Sequence, residues 1–351
     1  MKLRAWMSVL LAAELMILAA CNQTESTPSG SGKLYLTTQG DTKVSTYDVN
    51  LGDGTVTLNS TQQDTGTTPN SIALTPAGDA LFVANRGDNT ITSYAVGSDG
   101  TLSAGSTATT GSTPRAMAID SSGALLFVAN ETSNDVSIFS ISGTTLALVN
   151  TVPVGGTPVG IAASPTASFL YVTNSADNTV STFSFGSSGA LTALSLPVAT
   201  GTAPVACVVS VDGKYLYVAN SGSNNVSAYT IASDGTLTNI DGSPFSAGLG
   251  PSAMAVSPAG LYLYVVDQHS NQVSSYKIGD MTGVLTATTP PTTSTGTTPV
   301  WIAVHPSGTW VYVANVGSSD ISALRIKTTG ALGIGTPVVS TGPQPSALIM
   351  K

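Results

Sequence analysis

Two arginines and a glutamate are the residues of this chain best placed to do chemistry, because only 9% of its 351 residues are charged. Arg86 and Glu131 follow equivalent Asn residues one repeat apart, and Arg115 lies between them directly after a proline. A guanidinium group can stabilise negative charge on a reacting oxygen, and a carboxylate can act as a base. The alternative interpretation is an exposed ion pair, which contributes roughly 0–1 kcal/mol to stability.

Other catalytic and cofactor signals are absent from the sequence. It has no G-x-S-x-G nucleophile elbow, no G-x-x-x-x-G-K phosphate loop and no H-E-x-x-H metal motif. Its two histidines, His269 and His305, lie in different parts of the repeat. His305 ends a predicted strand before Pro306, on the side opposite the proline-bearing loops, and is expected to be structural. We therefore predict neither a metal site nor a bound cofactor.

The elements that position these residues come from a sequence repeat that occurs seven times in the chain. In its clearest copy, an extended run follows Pro158, an apolar run ends at Asn174, and an alternating run continues through Val180. The residue that ends the apolar run recurs at intervals of roughly 44 to 48 residues, at Thr38, Asn85, Asn130, Asn174, Asn220, Asp267 and Asn315. The proline recurs in step, at Pro69, Pro114, Pro158, Pro204, Pro251, Pro299 and Pro345. This period, with three or four short strands per repeat, predicts an all-β, seven-bladed β-propeller.

The apolar runs also predict how the blades pack and how the ring closes. Residues 81–84 and 216–219 are apolar at every position, so both faces of each strand must be covered, as they are between stacked blades. Because an open array would leave a bare sheet edge at each end, we predict that residues 346–350 pair with residues 33–38. We expect each terminal Asn to bond its own backbone and to turn the chain in a left-handed conformation.

The first twenty residues differ from the rest of the chain. Lys2 and Arg4 precede an apolar run that is too short for a comfortable membrane span. The run ends in Leu18-Ala19-Ala20-Cys21, which resembles a bacterial lipobox, with an ordinary cleaved signal as the alternative. We predict a lipoprotein signal peptide over residues 1–20, lipidation of Cys21, a flexible tether within residues 21–32, and the propeller over residues 33–351.

These features predict a protein of the bacterial cell envelope, outside the cytoplasm in the periplasm or at the cell surface, and held to the membrane by its N-terminal lipid. The formal net charge of −8 and the sparse surface charge would repel phosphate backbones, so nucleic acid is not an expected partner. We expect a monomer. Cys207 takes the place of an apolar residue in the other repeats and is predicted to be a core residue rather than a nucleophile.

Over residues 33–351 the chain resembles the seven-bladed lactonase-type propellers with YVTN repeats. Tyr171-Val172-Thr173-Asn174 spells that repeat, and loops such as Asp99-Gly100-Thr101-Leu102 are also similar to those of the family. The family includes propeller-type 6-phosphogluconolactonases and a fungal carboxy-muconate cyclase. The resemblance implies the fold strongly and the activity weakly, because one fold carries many functions.

The resemblance also implies a site that opens a lactone. The family pattern places an Arg after the proline of an inner strand, a Glu after the Asn of the next middle strand, and a His on an earlier inner strand. Arg115 and Glu131 match it, which implies that Arg115 donates to the carbonyl oxygen and that Glu131 is the base. Three positions depart from the pattern: Asn70 stands where the earlier His is expected, Ala116 replaces a His, and Val205 replaces a second Arg.

Two functions remain open at this point. One is a lactone hydrolase that uses Arg115 and Glu131. The other is a non-catalytic envelope propeller that binds a small molecule or a protein at its mouth. The candidate ligand-binding residues of that mouth are Asn70, Arg86, Gln268 and His269. Export argues against a cytosolic sugar phosphate as the substrate.

Overall fold

The computed structural model describes residues 30–335 and 339–351, which form 31 β-strands in seven antiparallel sheets. This confirms the predicted all-β, seven-bladed architecture. No helix in the described part of the chain is long and apolar enough to cross a membrane. The predicted signal peptide, Cys21 and most of the predicted tether lie outside the described residues.

Each sheet is one blade, and in blades 2 to 7 the strands run from the central axis outward in chain order. Blade 1 contains β1 (Ser31–Thr38), β2 (Lys43–Asn50), β3 (Val56–Asp64) and the last strand of the chain, β31 (Pro345–Met350). Blade 2 contains β4 (Pro69–Leu74), β5 (Ala80–Asn85), β6 (Thr90–Val96) and β7 (Leu102–Thr109). Blade 3 contains β8 (Pro114–Ile119), β9 (Leu125–Asn130), β10 (Asp135–Ser142) and β11 (Thr145–Pro153).

The outermost strand is split into two short pieces in three of the remaining blades. Blade 4 contains β12 (Pro158–Ala163), β13 (Phe169–Asn174), β14 (Thr179–Phe185), β15 (Leu191–Ala193) and β16 (Val198–Ala199). Blade 5 contains β17 (Pro204–Val209), β18 (Tyr215–Asn220), β19 (Asn225–Ile231), β20 (Leu237–Asn239) and β21 (Phe245–Ser246). Blade 6 contains β22 (Pro251–Val256), β23 (Tyr262–Asp267), β24 (Gln272–Ile278) and β25 (Leu285–Ser294). Blade 7 contains β26 (Pro299–Val304), β27 (Trp310–Asn315), β28 (Asp320–Ile326), β29 (Leu332–Ile334) and β30 (Val339–Ser340).

The two ends of the propeller meet in blade 1, as predicted. Strand β31 pairs antiparallel with β1, with Leu34 opposite Met350 and Thr38 opposite Pro345. The indole N–H of Trp310 in blade 7 donates to the carbonyl oxygen of Leu51 in blade 1 at 2.9 Å. Pairing the last strand with the first blade leaves neither sheet edge bare at the junction.

The hydrophobic core of the described residues is divided into seven clusters, and each cluster combines residues from two neighbouring blades. The middle strands supply both sides of this arrangement because successive side chains point to opposite faces of a sheet. Leu216 packs toward blade 4, whereas its neighbour Tyr217 packs toward blade 6. Both are fully buried. This is why the middle strands are apolar at every position.

The Asn that ends a middle strand does not turn the chain, contrary to the sequence prediction. The amide of Asn174 donates to the hydroxyl oxygens of Thr179 and Ser181, at 3.0 and 2.9 Å, on the following strand. The left-handed conformation belongs instead to Asn178, with φ of 55°. Pairing of Asn174 with Thr179 keeps Asn174 in an extended strand, so the turn falls on the residues that follow it.

The structure also moves the start of the propeller. Ser31 and Gly32, which the sequence analysis placed in the tether, pair with Asn50 and Val49 as part of β1. A Cβ at Gly32 would overlap the ring of His305, so this position needs the absence of a side chain. The local composition here is typical of a flexible linker, but pairing with β2 places these residues in a strand.

Candidate functional site

A β-bulge in every inner strand sets the geometry of the central cavity. In blade 3, Pro114 pairs with Asn130 and Ala116 with Ala129, so Arg115 is skipped by the ladder. The other six inner strands skip the residue after the proline in the same way. A bulge kinks the strand and changes the direction of its side chain. We call these seven skipped residues the bulge ring: Asn70, Arg115, Val159, Val205, Ser252, Val300 and Ser346.

All seven bulge-ring residues line one cavity of about 580 Å³ on the propeller axis. Loops that follow the middle strands complete its wall with Gln39, Arg86, Ser221, Gln268 and Val316. A volume of this size lies in the range of small-molecule sites, which is roughly 300–1,000 Å³. The propeller therefore gathers residues that are distant in the chain around a space of ligand size.

Arg115 presents its guanidinium group to this cavity. Thr113, two residues before Arg115, has a left-handed φ of 62°, and its N–H donates to the side-chain oxygen of Asn89 at 2.7 Å. Asn70 donates to the carbonyl oxygen of Arg115 at 3.3 Å. Both contacts fix the backbone of Arg115. Its guanidinium group makes no hydrogen bond to any described residue, so its N–H donors are available to a ligand.

The protein surrounding Arg115 shifts its pKa, although its side chain is exposed to the cavity. Removal from bulk water lowers the pKa of Arg115, with Glu131 opposing this effect and the positive charge of Arg86 adding to it. An arginine stays protonated even so. A cation that is only partly hydrated gains more from an incoming oxyanion than a fully exposed one would.

Arg86 and Glu131 form an ion pair beside Arg115. The distance from Nη2 of Arg86 to Oε2 of Glu131 is 3.1 Å, and the side chains are 41% and 25% exposed. The backbone N–H groups of both residues donate to the residue before a repeat proline, Arg86 to Thr68 and Glu131 to Thr113. The two side chains therefore meet from equivalent loops of blades 2 and 3. Glu131 itself does not line the cavity, whereas Arg86, its ion-pair partner, does.

The remaining predicted binding residues are divided between the cavity and the outer surface. Asn70 is buried, and its Oδ1 has no hydrogen-bond partner among the described residues. Gln268 lines the cavity. His269 is exposed and does not line it, since its ring lies against Gly250. The structure thus brings together Asn70, Arg86, Arg115, Glu131 and Gln268, and leaves His269 outside.

His305 and Cys207 lie away from this cluster of charges. His305 is buried at the far end of β26, where its Nδ1 is 2.8 Å from Ser307 Oγ, and burial lowers its pKa. Cys207 belongs to an inner strand as predicted, and one side of it faces the cavity. Burial raises the pKa of its thiol to about 12, so it is not activated as a nucleophile. Among the described residues there is no group of three His, Cys, Asp or Glu side chains that could hold a metal ion.

Sequence reasoning missed Trp301, which lines the cavity from blade 7. The position two residues after the repeat proline otherwise carries Ser71, Ala116, Gly160, Ala206, Ala253 and Ala347. An indole in a series of the smallest side chains was a detectable signal. Sequence reasoning also missed Ser252 and Ser346, because nothing in the sequence marks the residue after the proline as part of a β-bulge.

Together these groups can bind and polarise an oxygen atom. Arg115 supplies hydrogen-bond donors, Glu131 supplies a carboxylate, and Arg86 holds that carboxylate in place. Oε1 of Glu131 accepts no hydrogen bond from any described residue, which leaves it able to take a proton from water. This is the minimum set for adding water to an ester carbonyl.

Comparison with known proteins agrees with the fold. A family model for seven-bladed β-propeller lactonases matches residues 28–159, 152–292 and 250–347. No curated protein matches the chain.

Solved structures from several bacteria share the architecture. A candidate 6-phosphogluconolactonase from Bacteroides fragilis is 20% identical, with a TM-score of 0.82 over 94% of this chain and 100% of that one. A periplasmic gluconolactonase from Pseudomonas aeruginosa is 22% identical, with a TM-score of 0.81 over 92% of this chain and 99% of that one. A virginiamycin B lyase from Staphylococcus aureus is 15% identical, with a TM-score of 0.56 over 78% of this chain and 84% of that one. At this level of identity the likeness concerns the fold alone.

Proposed function

The chain belongs to the seven-bladed β-propeller lactonase family, and from that premise we propose that it hydrolyses a lactone at the mouth of its central cavity. The observation that carries the proposal is the guanidinium group of Arg115, which faces a cavity of about 580 Å³ with the Arg86–Glu131 pair beside it. The names of the lactonases that share its fold support the same reaction class.

In the proposed reaction the lactone carbonyl oxygen accepts hydrogen bonds from Arg115. A water oxygen forms a bond to the carbonyl carbon while Glu131 takes a proton from that water. Negative charge builds up on the carbonyl oxygen, where Arg115 stabilises it. The ring C–O bond then breaks, and the proton passes to the leaving oxygen. The product is an open-chain hydroxy acid.

The test is acid release from a panel of lactones by the purified propeller. We expect Arg115→Ala to lower kcat/KM by about 10²–10³-fold, because a donor to the oxyanion is lost. We expect Glu131→Gln to lower it by about 10²–10⁴-fold, because the base is lost. Arg325→Ala on the outer part of blade 7 is the matched control and should keep the wild-type rate. Unchanged turnover in both mouth variants would exclude this site.

A second function is favoured by one observation. Asn70 stands where the family resemblance implies a histidine, so the mouth lacks an imidazole at that position. On this alternative the propeller binds a ligand or protein at its mouth without turnover. Binding of a lactone or hydroxy acid that weakens in Arg115→Ala, with no acid release from any lactone tested, would support it over hydrolysis.

We also propose that the protein is a lipoprotein of the cell envelope, anchored through Cys21. The sequence Leu18-Ala19-Ala20-Cys21 supports this, and so does the periplasmic location stated for the Pseudomonas protein of the same fold. Expressed in a bacterium, the wild-type chain should fractionate with membranes and incorporate a labelled fatty acid. Cys21→Ser should do neither, and membrane association that survives this change would contradict lipid anchoring.

A further inference from the structure

Within the bulge ring, the wall of the cavity is polar on one side and mostly apolar on the other. Going around the bulge ring, blades 1, 2 and 3 contribute Ser346, Asn70 and Arg115. Blades 4 and 5 contribute Val159 and Val205, and blade 7 contributes Val300; only Ser252 in blade 6 interrupts this apolar arc. Ser221 and Gln268 add polar groups from the loops of blades 5 and 6, so a ligand whose carbonyl group lies at Arg115 meets the valines of this arc at the bulge ring.

Trp301, next to Val300, adds an aromatic ring to the cavity wall. Its indole is half-buried and packs against two core clusters, one between blades 7 and 1 and the other between blades 1 and 2. Both clusters include residues of blade 1, so these contacts hold the ring at the cavity wall where blades 7 and 1 meet. Val300, next to it, packs on the first of these clusters. A large, fixed aromatic surface is well suited to contact with an apolar group.

The floor of the cavity is uncharged all the way round. Two residues beyond each bulge-ring residue, the inner strands contribute a second ring made of Ile72, Met117, Ile161, Cys207, Met254, Ile302 and Leu348. Cys207, the one titratable member, keeps its proton because burial raises its pKa to about 12. This ring gives hydroxyl groups of a ligand few partners, and burying a hydroxyl without one is unfavourable.

The charge at the mouth suits a single oxyanion. Among the described lining residues, Arg86 and Arg115 are the charged ones, and Arg86 is already paired with Glu131. That leaves one cation for the ligand. A phosphorylated, polyhydroxylated lactone would bring a phosphate group and several hydroxyls to a cavity with one unpaired cation, where the apolar arc of the bulge ring offers only Ser252 as a partner.

We infer that the cavity binds lactones that carry an uncharged, apolar substituent, with Trp301 as a specificity-determining residue. This inference rests on the proposed lactonase function and names its substrate class. The ring carbonyl lies at Arg115, and the substituent extends across the cavity toward Trp301, Val300 and Val205.

The experiment uses two matched series of ligands with the purified propeller. δ-Valerolactone and its propyl- and pentyl-substituted analogues report turnover, with glucono-δ-lactone and its 6-phosphate as polar comparators. The corresponding δ-lactams, whose amide resists hydrolysis, report affinity by calorimetry whether or not catalysis occurs. We expect affinity to rise about two- to four-fold for each added methylene.

Variants then locate the apolar contact. Trp301→Ala should flatten the dependence on chain length, whereas Trp301→Phe should keep most of it. Val205→Thr, an isosteric change that adds a hydroxyl group, should weaken binding of the pentyl analogue most. It tests the same apolar wall if Trp301→Ala does not fold. Arg115→Ala should weaken all analogues by a similar factor and leave the chain-length dependence intact.

The two proposals can fail separately. Chain-length-dependent lactam binding without hydrolysis of any lactone would overturn the lactonase function and keep the apolar ligand class. Hydrolysis with no chain-length dependence, or with glucono-δ-lactone or its 6-phosphate preferred, would keep the lactonase function and overturn the apolar class. Wild-type behaviour of the Trp301 and Val205 variants would overturn the assigned wall.

Discussion

Asp267 differs from the residues that end the other middle strands of blades 2 to 7. Each of those is an Asn whose amide donates to a hydroxyl group seven residues later, as Asn315 does to Ser322 at 2.9 Å. Asp267 has no donor there and accepts instead from Ser274 at 2.6 Å and from the N–H of Gly248 at 3.0 Å. Burial raises its pKa from 3.8 to about 6, and these hydrogen bonds only partly oppose the shift.

Because the pKa of Asp267 is raised, replacing its carboxyl group should increase the free energy of unfolding, by an amount that depends on pH. Between pH 3.8 and about 6 the folded state binds more protons at Asp267 than the unfolded chain does, so its destabilising effect is full above pH 6 and fades as the pH falls. We expect Asp267→Asn to raise the free energy of unfolding by about 1–3 kcal/mol at pH 7.5. Denaturant unfolding at pH 7.5 and pH 4 checks this.

The matched control is the reverse change, Asn315→Asp, in the equivalent position of blade 7. It should lower stability at pH 7.5 and less so at pH 4. If Asp267→Asn raised the free energy of unfolding equally at both pH values, the effect would not be due to ionisation of Asp267.

At the scale of elements, tyrosines of four middle strands link their blade to the next one along the chain. The hydroxyl groups of Tyr35, Tyr171, Tyr217 and Tyr264 donate to carbonyl oxygens of Gly100, Gly235, Gly283 and Gly330, at 2.9 to 3.3 Å. These glycines have φ between 68° and 85°, which suits a residue without a Cβ in a tight turn. The repeat thus carries a hydrogen bond between blades as well as apolar contacts.

Removing one of these hydroxyl groups tests the link. Tyr217 is buried and donates to the Gly283 carbonyl oxygen at 2.9 Å. Because Tyr217→Phe leaves that oxygen without its donor, we expect a loss of about 1–2 kcal/mol in the free energy of unfolding. Tyr262→Phe, which removes an exposed hydroxyl bonded to Thr328, should change it by less than about 0.5 kcal/mol. Equal losses in both variants would contradict a specific role for the buried link.

At the scale of the whole molecule, closure of the propeller depends on β31, the C-terminal strand of the chain. Strand β31 pairs with β1, and the core cluster between blades 7 and 1 contains Leu348 and Met350 beside Trp310. Without β31, blade 1 loses its inner strand and the ring loses Ser346 from the cavity wall. The N-terminal blade would then present an unpaired edge to other chains.

Deleting residues 345–351 should therefore abolish the single cooperative thermal transition of the propeller and produce aggregates. Circular dichroism melting and size-exclusion chromatography measure both effects. Lys351→Ala, which removes a side chain but keeps the strand, should melt close to the wild type. A truncated chain that stays monomeric and melts within a few degrees of the full chain would contradict closure as the source of stability.

The sequence by itself determined the number of blades and the way the ring closes. Thr38, the terminal Asn and Asp residues and the prolines recur at a nearly fixed interval, and only packing between identical units accounts for apolar runs buried on both faces. It also predicted Arg115 and Glu131 as site residues, since charged residues are rare enough in this chain to be conspicuous.

Only the tertiary structure decided which side chains face the cavity. The bulge that exposes Arg115, Val205 and Val300 arises from pairing between two strands, and a single strand carries no local signal for it. The contact between Arg86 and Glu131 joins two blades, and Trp301 reaches the axis through packing against its neighbours. Period and composition specify the repeating unit, whereas the site depends on distances between units, which exist only after the ring has closed.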